Sequence, residues 1–509
     1  MTAQRAWLPR RLGAVAVLAL GLVLAAGCIA APGDITATPP APTEEPVFRP
    51  IRAETPADEP LEPLTEDEVD DALREAICWY PNAALAQSCL PPGEEFLTAL
   101  QRIALSEEQR FVAPLVDMLW LDLGWERWVR EALERLTGQR FATAAEWYAW
   151  MMADPPPLPD DYAEWKGRLL ALIDLRFRDL IPEASAGSGP GPEHLVWSLV
   201  GADSIPPLTT PETVHRAEER YLGARDIVFG VAMNGVQRAY PERILGWHGS
   251  IADDIEGTGI LVWHCPTCGG AAVFDRVASD GVAYTFTTAG LVWESRRLFT
   301  DEETDSLWDA VSGRAVAGPL AAQGVRLTAR MSVRTTWGEW DARYPNTRVL
   351  SLDTGFVRDY SEGAALLADS NPDGPAFPTT PNPEVDGRLD AKTRVLGVTV
   401  SGARKAYPLG QIEARGMTLD TLGGVDILIF SPGAGLGATV YDTAGTTFEG
   451  WSGPPEDRIM TDSDNLRWFV DDERLLNTRN SRERTSLPAQ VAYWFAWSGA
   501  FPDAALWGE

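Results

Sequence analysis

Apolar positions recur at helical spacing through the first third of the chain and in short strand-like runs after residue 195. Phe111, Leu115, Met118, Leu119 and Trp120 fall on one helical face, as do Trp128, Ala132, Leu133 and Leu136. Ser106-Glu107-Glu108-Gln109 and Thr143-Ala144-Ala145-Glu146 carry the capping-box pattern, in which a hydroxyl and a carboxylate satisfy each other's free backbone N–H groups, and so predict two helix starts. Asp154-Pro155-Pro156-Pro157 interrupts the pattern, one more helix follows, and Ala184 to Pro192 reads as a Gly/Ser/Pro linker. A helical domain of paired helices is predicted over residues 65–183, with nothing in it at catalytic spacing.

Beyond residue 195 the apolar runs shorten and are divided by Gly, Pro and Asp. Ile227 to Met233 followed by Asn234-Gly235 predicts a strand and a tight hairpin turn. Ile260 to Trp263 and Ala271 to Phe274 predict two further strands. Sliding the chain by 167 positions lays residues 228–275 over 395–442 without a gap, with 16 of 48 positions identical. Trp337, Trp340, Tyr344 and Pro345 likewise have the spacing of Trp494, Trp497, Phe501 and Pro502. The expected fold is therefore α+β and multidomain: the helical domain, then a mainly β region of two duplicated modules at 195–365 and 390–509. Identical positions are small, aromatic or turn residues, as a shared scaffold needs. His248, His264, Cys265 and Cys268 face Arg415, Ser431, Pro432 and Gly435, which predicts one working module and one supporting, degenerate module.

The ends and the composition set the compartment. Arg5, Arg10 and Arg11 precede the apolar run Leu12 to Ala26, and Leu24-Ala25-Ala26-Gly27-Cys28 reads as a lipobox. Residues 1–28 are thus expected to be a lipoprotein signal peptide, with Cys28 lipidated. The chain would be anchored outside the cytoplasm on a bacterial membrane. Residues 29–64 are Pro, Thr, Ala and Glu with little to bury, and predict a disordered tether. A formal charge of -30 argues against nucleic acid, which needs a basic partner surface. An envelope protein docked on the helical domain is the partner expected, and any small-molecule ligand is left unidentified. The 20 tryptophans are read as buried core in preference to a sugar-binding surface. Besides Cys28 there are four cysteines in two close pairs. Cys78 and Cys89 are expected to form a disulfide, as exported cysteines usually do.

Several motifs together resemble one bacterial family. Tyr240-Pro241, His248, Trp263-His264-Cys265-Pro266-Thr267-Cys268 and Val273-Phe274-Asp275-Arg276 lead the match. Ala289-Gly290-Leu291, Thr304-Asp305-Ser306-Leu307-Trp308, Thr336-Trp337, Tyr344-Pro345 and Val349-Leu350-Ser351 continue it. The pattern resembles the family called domain of unknown function 3179, strongly over 195–365 and more faintly in the second module. The resemblance implies an architecture and candidate residues but no reaction. The family usually has His-Glu where His248-Gly249 stands here, and Cys-Pro-Leu-Cys where this chain has Thr267.

Three chemistries compete for the Cys-x-x-Cys. Cys265 and Cys268 could hold one copper or zinc ion, with His248 the preferred third ligand and His264 or Asp253 further candidates. His264 precedes Cys265 on a strand and should face the opposite way. A disulfide stapling a tight turn in a non-catalytic binding protein is the second reading. Thiol–disulfide exchange is the third, weakened because Gly269-Gly270 and a strand follow where an activating helix is needed. Gly433 to Gly437 lacks a dinucleotide-binding context, and neither G-x-S-x-G nor H-E-x-x-H occurs. Whether the chain is an enzyme stays open.

Overall fold

The computed structural model describes residues 94–121, 124–185, 189–361, 375, 377 and 387–508. The expected signal peptide, Cys28, the tether and the Cys78–Cys89 disulfide lie outside them. Among the described residues six α-helices come first: α1 (Glu94–Leu105), α2 (Val112–Leu121), α3 (Glu126–Thr137), α4 (Ala144–Ala153), α5 (Tyr162–Leu170) and α6 (Phe177–Ser185). The predicted apolar faces meet: Phe111, Leu115, Met118, Leu119, Leu133 and Leu136 share one core with Trp147 and Trp165. Trp120 and Trp128 lie partly buried at its margin. The Thr143–Glu146 capping box forms as expected. Ser106 differs: its hydroxyl donates back to the Ile103 carbonyl, and Glu108 caps a short 3₁₀ turn ahead of α2. The pattern is the same for both, but the preceding helix claims Ser106. Lys166 is fully enclosed against Asp117, which also accepts from the Tyr148 and Tyr162 hydroxyls, so the buried ion pair has its polar atoms occupied.

The region from residue 195 is built of six small sheets. In its first half run β1 (Ile227–Met233), β2 (Val236–Pro241), α7 (Glu242–His248), β3 (Ser250–Ile255), β4 (Thr258–Cys265), β5 (Gly270–Asp275), β6 (Phe286–Trp293), β7 (Arg296–Asp301), β8 (Val333–Thr336) and α8 (Trp337–Arg343). In its second half run β9 (Arg394–Val400), β10 (Ala403–Pro408), α9 (Leu409–Arg415), β11 (Met417–Leu422), β12 (Val425–Phe430), β13 (Thr439–Asp442), β14 (Ala489–Tyr493) and α10 (Trp494–Ala500). The β1–β2 hairpin turns on Asn234 and Gly235, both at positive φ, the conformation that this two-residue turn demands. β1 pairs with β8 and β2, and β9 pairs with β14 and β10, all antiparallel. β3–β4–β5 and β11–β12–β13 are antiparallel meanders. Nine tryptophans are among the largest fully buried side chains, so a large part of this aromatic content lies in cores.

The halves touch through matching places. A Cβ at Gly270, just after the Cys turn, would lie 2.0 Å from the Val491 carbonyl oxygen on β14. A Cβ at Gly437, 167 positions later, would lie 2.5 Å from Val333 on β8. Only glycine lets the two backbones approach this closely. A second contact zone is charged: Arg343 on α8 pairs with Glu339 and with Asp472, and Arg458 pairs with Glu339.

Candidate functional site

Cys265 ends β4, Pro266 to Cys268 make a single 3₁₀ turn, and Gly269 at φ +79° turns the chain into β5. The two cysteines are joined in a disulfide, and both are almost wholly buried. Their environment is polar on one side. The Arg297 amide N–H donates to Cys265 Sγ at 3.4 Å, Thr267 Oγ1 lies 3.3 Å from the same sulfur, and the Thr267 hydroxyl donates to the Ser295 carbonyl. Tyr493 of β14 covers Gly269, where a Cβ would lie 2.7 Å from its ring.

The other predicted ligands are placed elsewhere. His248 closes α7 with no exposed surface. Its Nδ1 lies 2.8 Å from the Pro206 carbonyl oxygen, and its Nε2 lies 2.7 Å from the Tyr360 hydroxyl. A carbonyl only accepts, so Nδ1 donates and Nε2 receives the Tyr360 proton; the ring is neutral with both nitrogens engaged. Burial lowers its pKa in agreement with that state. Asp253 is buried too, accepting from Arg238 at 2.6 Å and Tyr240 at 2.7 Å. Asp420 in the second half does the same with Lys405 and Tyr407, so the Asp253 arrangement belongs to the scaffold. The expected constellation of Cys265, Cys268 and His248, with Asp253 beside it, therefore does not come together. No group of three or more His, Cys, Asp and Glu suited to a metal ion occurs among the described residues. Disulfide sulfurs carry no thiolate charge to donate, and His248 has no lone pair to spare, so these residues as arranged do not fit a metal.

His264 is different. Its ring faces Phe229, with centroids 5.9 Å apart, while Trp263 and Cys265 enter the opposite core. It is 2% exposed, and neither ring nitrogen has a hydrogen-bond partner. Glu242 Oε1, at the start of α7, stands 3.8 Å from Nε2, too far for a hydrogen bond. Burial holds the imidazole pKa below its ordinary value. Burial acts to raise Glu242, but His264, Arg334 and Arg394 outweigh it and the net shift is downward.

Three charged residues that sequence reasoning missed complete the surroundings. Arg297 on β7 is buried, donates through Nη1 to the His264 carbonyl at 2.9 Å, and leaves Nη2 unpartnered. Burial pushes its pKa down to about 10. Arg334 on β8 lies directly across from Phe229, and its Nε is buried without a partner. Arg394 opens β9 and stacks on Tyr493 at 5.3 Å. In sequence these arginines look like surface charges. Only the absence of a nearby acid in register could have marked them, and register is not readable from one chain.

The profile of a family described as "Protein of unknown function (DUF3179)" matches residues 202–504. No curated protein matches the chain, and no solved structure does.

Proposed function

The chain belongs to the DUF3179 family, and from that premise we propose that it works in the bacterial envelope as a lipid-anchored binding protein. In this reading the Cys265–Cys268 disulfide is a structural staple and catalyses nothing. One observation carries it: both sulfurs are buried, and the turn they close is packed under Tyr493 and Val491 of the other half. A sulfur that an incoming thiol cannot reach does not exchange, whatever its pKa. Arg5, Arg10, Arg11 and the lipobox at Cys28 support export and anchoring. We also infer that residues 195–365 and 390–509 are two copies of one module, the second supporting the first. The 167-residue spacing of β1, β2, α7, β3 and β4 from β9, β10, α9, β11 and β12 favours this, as do the matching Asp253 and Asp420 contacts.

Thiol–disulfide exchange is the second reading. The Arg297 N–H and Thr267 hydroxyl at Cys265 would stabilise a thiolate there once the bond is reduced. Disulfide mapping, reductant sensitivity and elemental analysis of the full chain separate the readings. The staple predicts a Cys265–Cys268 bond that resists dithiothreitol in the native protein and yields to it in urea. Its removal in Cys265→Ser/Cys268→Ser should cost about 2 kcal/mol, the loop-entropy value for so short a ring. Fast native reduction would favour exchange. Stoichiometric zinc or copper that is lost in Cys265→Ser would restore the metal reading and overturn the staple.

A further inference from the structure

One sheet of the second half keeps an apolar row outside every core. Its strands Ile459–Asp462, Arg467–Val470 and Arg474–Asn477 are antiparallel, with Ile459 opposite Phe469 and Phe469 opposite Leu476. Met460, Trp468, Val470 and Leu475 build the core on its inner side. Alternation sends Ile459, Phe469 and Leu476 to the outer side. Among the described residues none of these three joins a hydrophobic core, and Phe469 and Leu476 are only half-buried.

The first half holds a sheet of the same build with that side covered. Trp308 donates to Asp301 and Trp468 to Asp462, each at 2.8 Å, and Phe286 and Phe448 stand opposite the two aspartates. Three residues before each aspartate come Leu298 and Ile459. Leu298, with Leu307 and Ala317, is packed into the core of the helical domain. In the second half Arg467 takes the place of Leu307, directly before the tryptophan, and no described helix supplies a matching layer.

Charge shows what fits there. Arg467 is exposed and Asp471 half-buried, two residues to either side of Phe469. Asp471 and Arg474 exchange both backbone hydrogen bonds, so the ladder and its alternation reach Asp471. Arg474 is engaged by Glu483 at 3.3 Å, whereas neither Arg467 nor Asp471 joins an ion pair among the described residues. Burial pushes the Asp471 carboxyl up to about 6, which a cation laid against it would reverse.

We propose that two copies of the chain meet on this face, sheet against sheet, about a two-fold axis that crosses the strands at Phe469. Such an axis turns each strand end for end. Phe469 then meets Phe469, and Arg467 of each copy meets Asp471 of the other. An axis along the strands would instead set Arg467 against Arg467. Stacked sheets lie about 10 Å apart, which the apolar row fills. The dimer is independent of how the Cys265–Cys268 bond behaves.

Sedimentation velocity on the full chain, made without the expected lipid, tests this. A contact this small predicts a reversible dimer with a dissociation constant on the order of 10 µM. Phe469→Glu, at a half-buried surface position, should weaken it at least tenfold with no change in melting temperature. Arg467→Asp alone and Asp471→Lys alone should each weaken self-association, and mixing the two variants should restore a dimer, because every contact between them again joins opposite charges. A chain still monomeric at about 300 µM, well above the expected constant, would overturn the proposal and leave the face to a different protein. So would a dimer that survives Phe469→Glu, or variants that fail to associate when mixed.

Discussion

Burial treats the two kinds of cation around the Cys turn differently. An imidazole can shed its proton and stay neutral, while a guanidinium at Arg297 keeps its charge even with its pKa pushed down to about 10. For His264 the folded pKa lies below its ordinary value, so the unfolded chain takes up a proton at higher pH than the folded one. The neutral ring therefore stabilises the fold fully above the unfolded pKa of about 6.5, and that contribution is lost as pH falls below it. Melting temperatures at about pH 7.5 and about pH 5.5 should show a smaller acid loss in His264→Gln than in the native chain. An equal loss would mean that folding leaves the His264 pKa where it is in the unfolded chain. That His264 and Cys265 face opposite sides of their strand was legible from strand periodicity alone, while the burial of both was not. The loneliness of Arg297 was not, because it depends on which strand β7 pairs with and on Gly249 standing where a Cβ would sit 3.0 Å from its Nη1.

Among the elements, hairpins and helix caps were the most readable, since their signals lie within a few residues. The β1–β2 turn and the Thr143 cap formed as their residues predict, while Ser106 was diverted by the helix before it. Closer packing is decided by glycines whose neighbours are hundreds of residues away. Gly270→Ala and Gly437→Ala should each destabilise the chain by about 2 kcal/mol or more in urea unfolding, because backbone and β-branched atoms stand where the methyl must go. Gly410→Ala is the control: it lies in α9 with nothing near its Cβ position and should be neutral or stabilising by up to about 1 kcal/mol. If all three behaved alike, the matched contacts between the halves would carry no weight.

At the scale of the molecule, an excess of 73 acidic over 43 basic residues coexists with buried arginines at the join. Arg343, held by Asp472 and Glu339, links α8 to the second half, and Tyr344 donates to the same Asp472. Arg343→Ala leaves two buried carboxylates facing each other's neighbourhood and should cost about 3 kcal/mol in equilibrium unfolding. A loss under about 1 kcal/mol would mean that Arg343 adds little to the join beyond the Arg458–Glu339 and Tyr344–Asp472 links. The sequence by itself determined the helical-then-β order, the main hairpin, the membership suggested by the Trp-His-Cys-Pro-Thr-Cys run, and the two-fold recurrence of its pattern. Those signals are local or repeat at a fixed spacing. Tertiary structure alone decided that Cys265 and Cys268 are bonded and covered, that His248 is spent on Pro206 and Tyr360, and that His264 is buried 3.8 Å from Glu242. Each of these depends on strand register and on contacts between residues distant in the chain, where one residue of slip would turn a side chain to the other face.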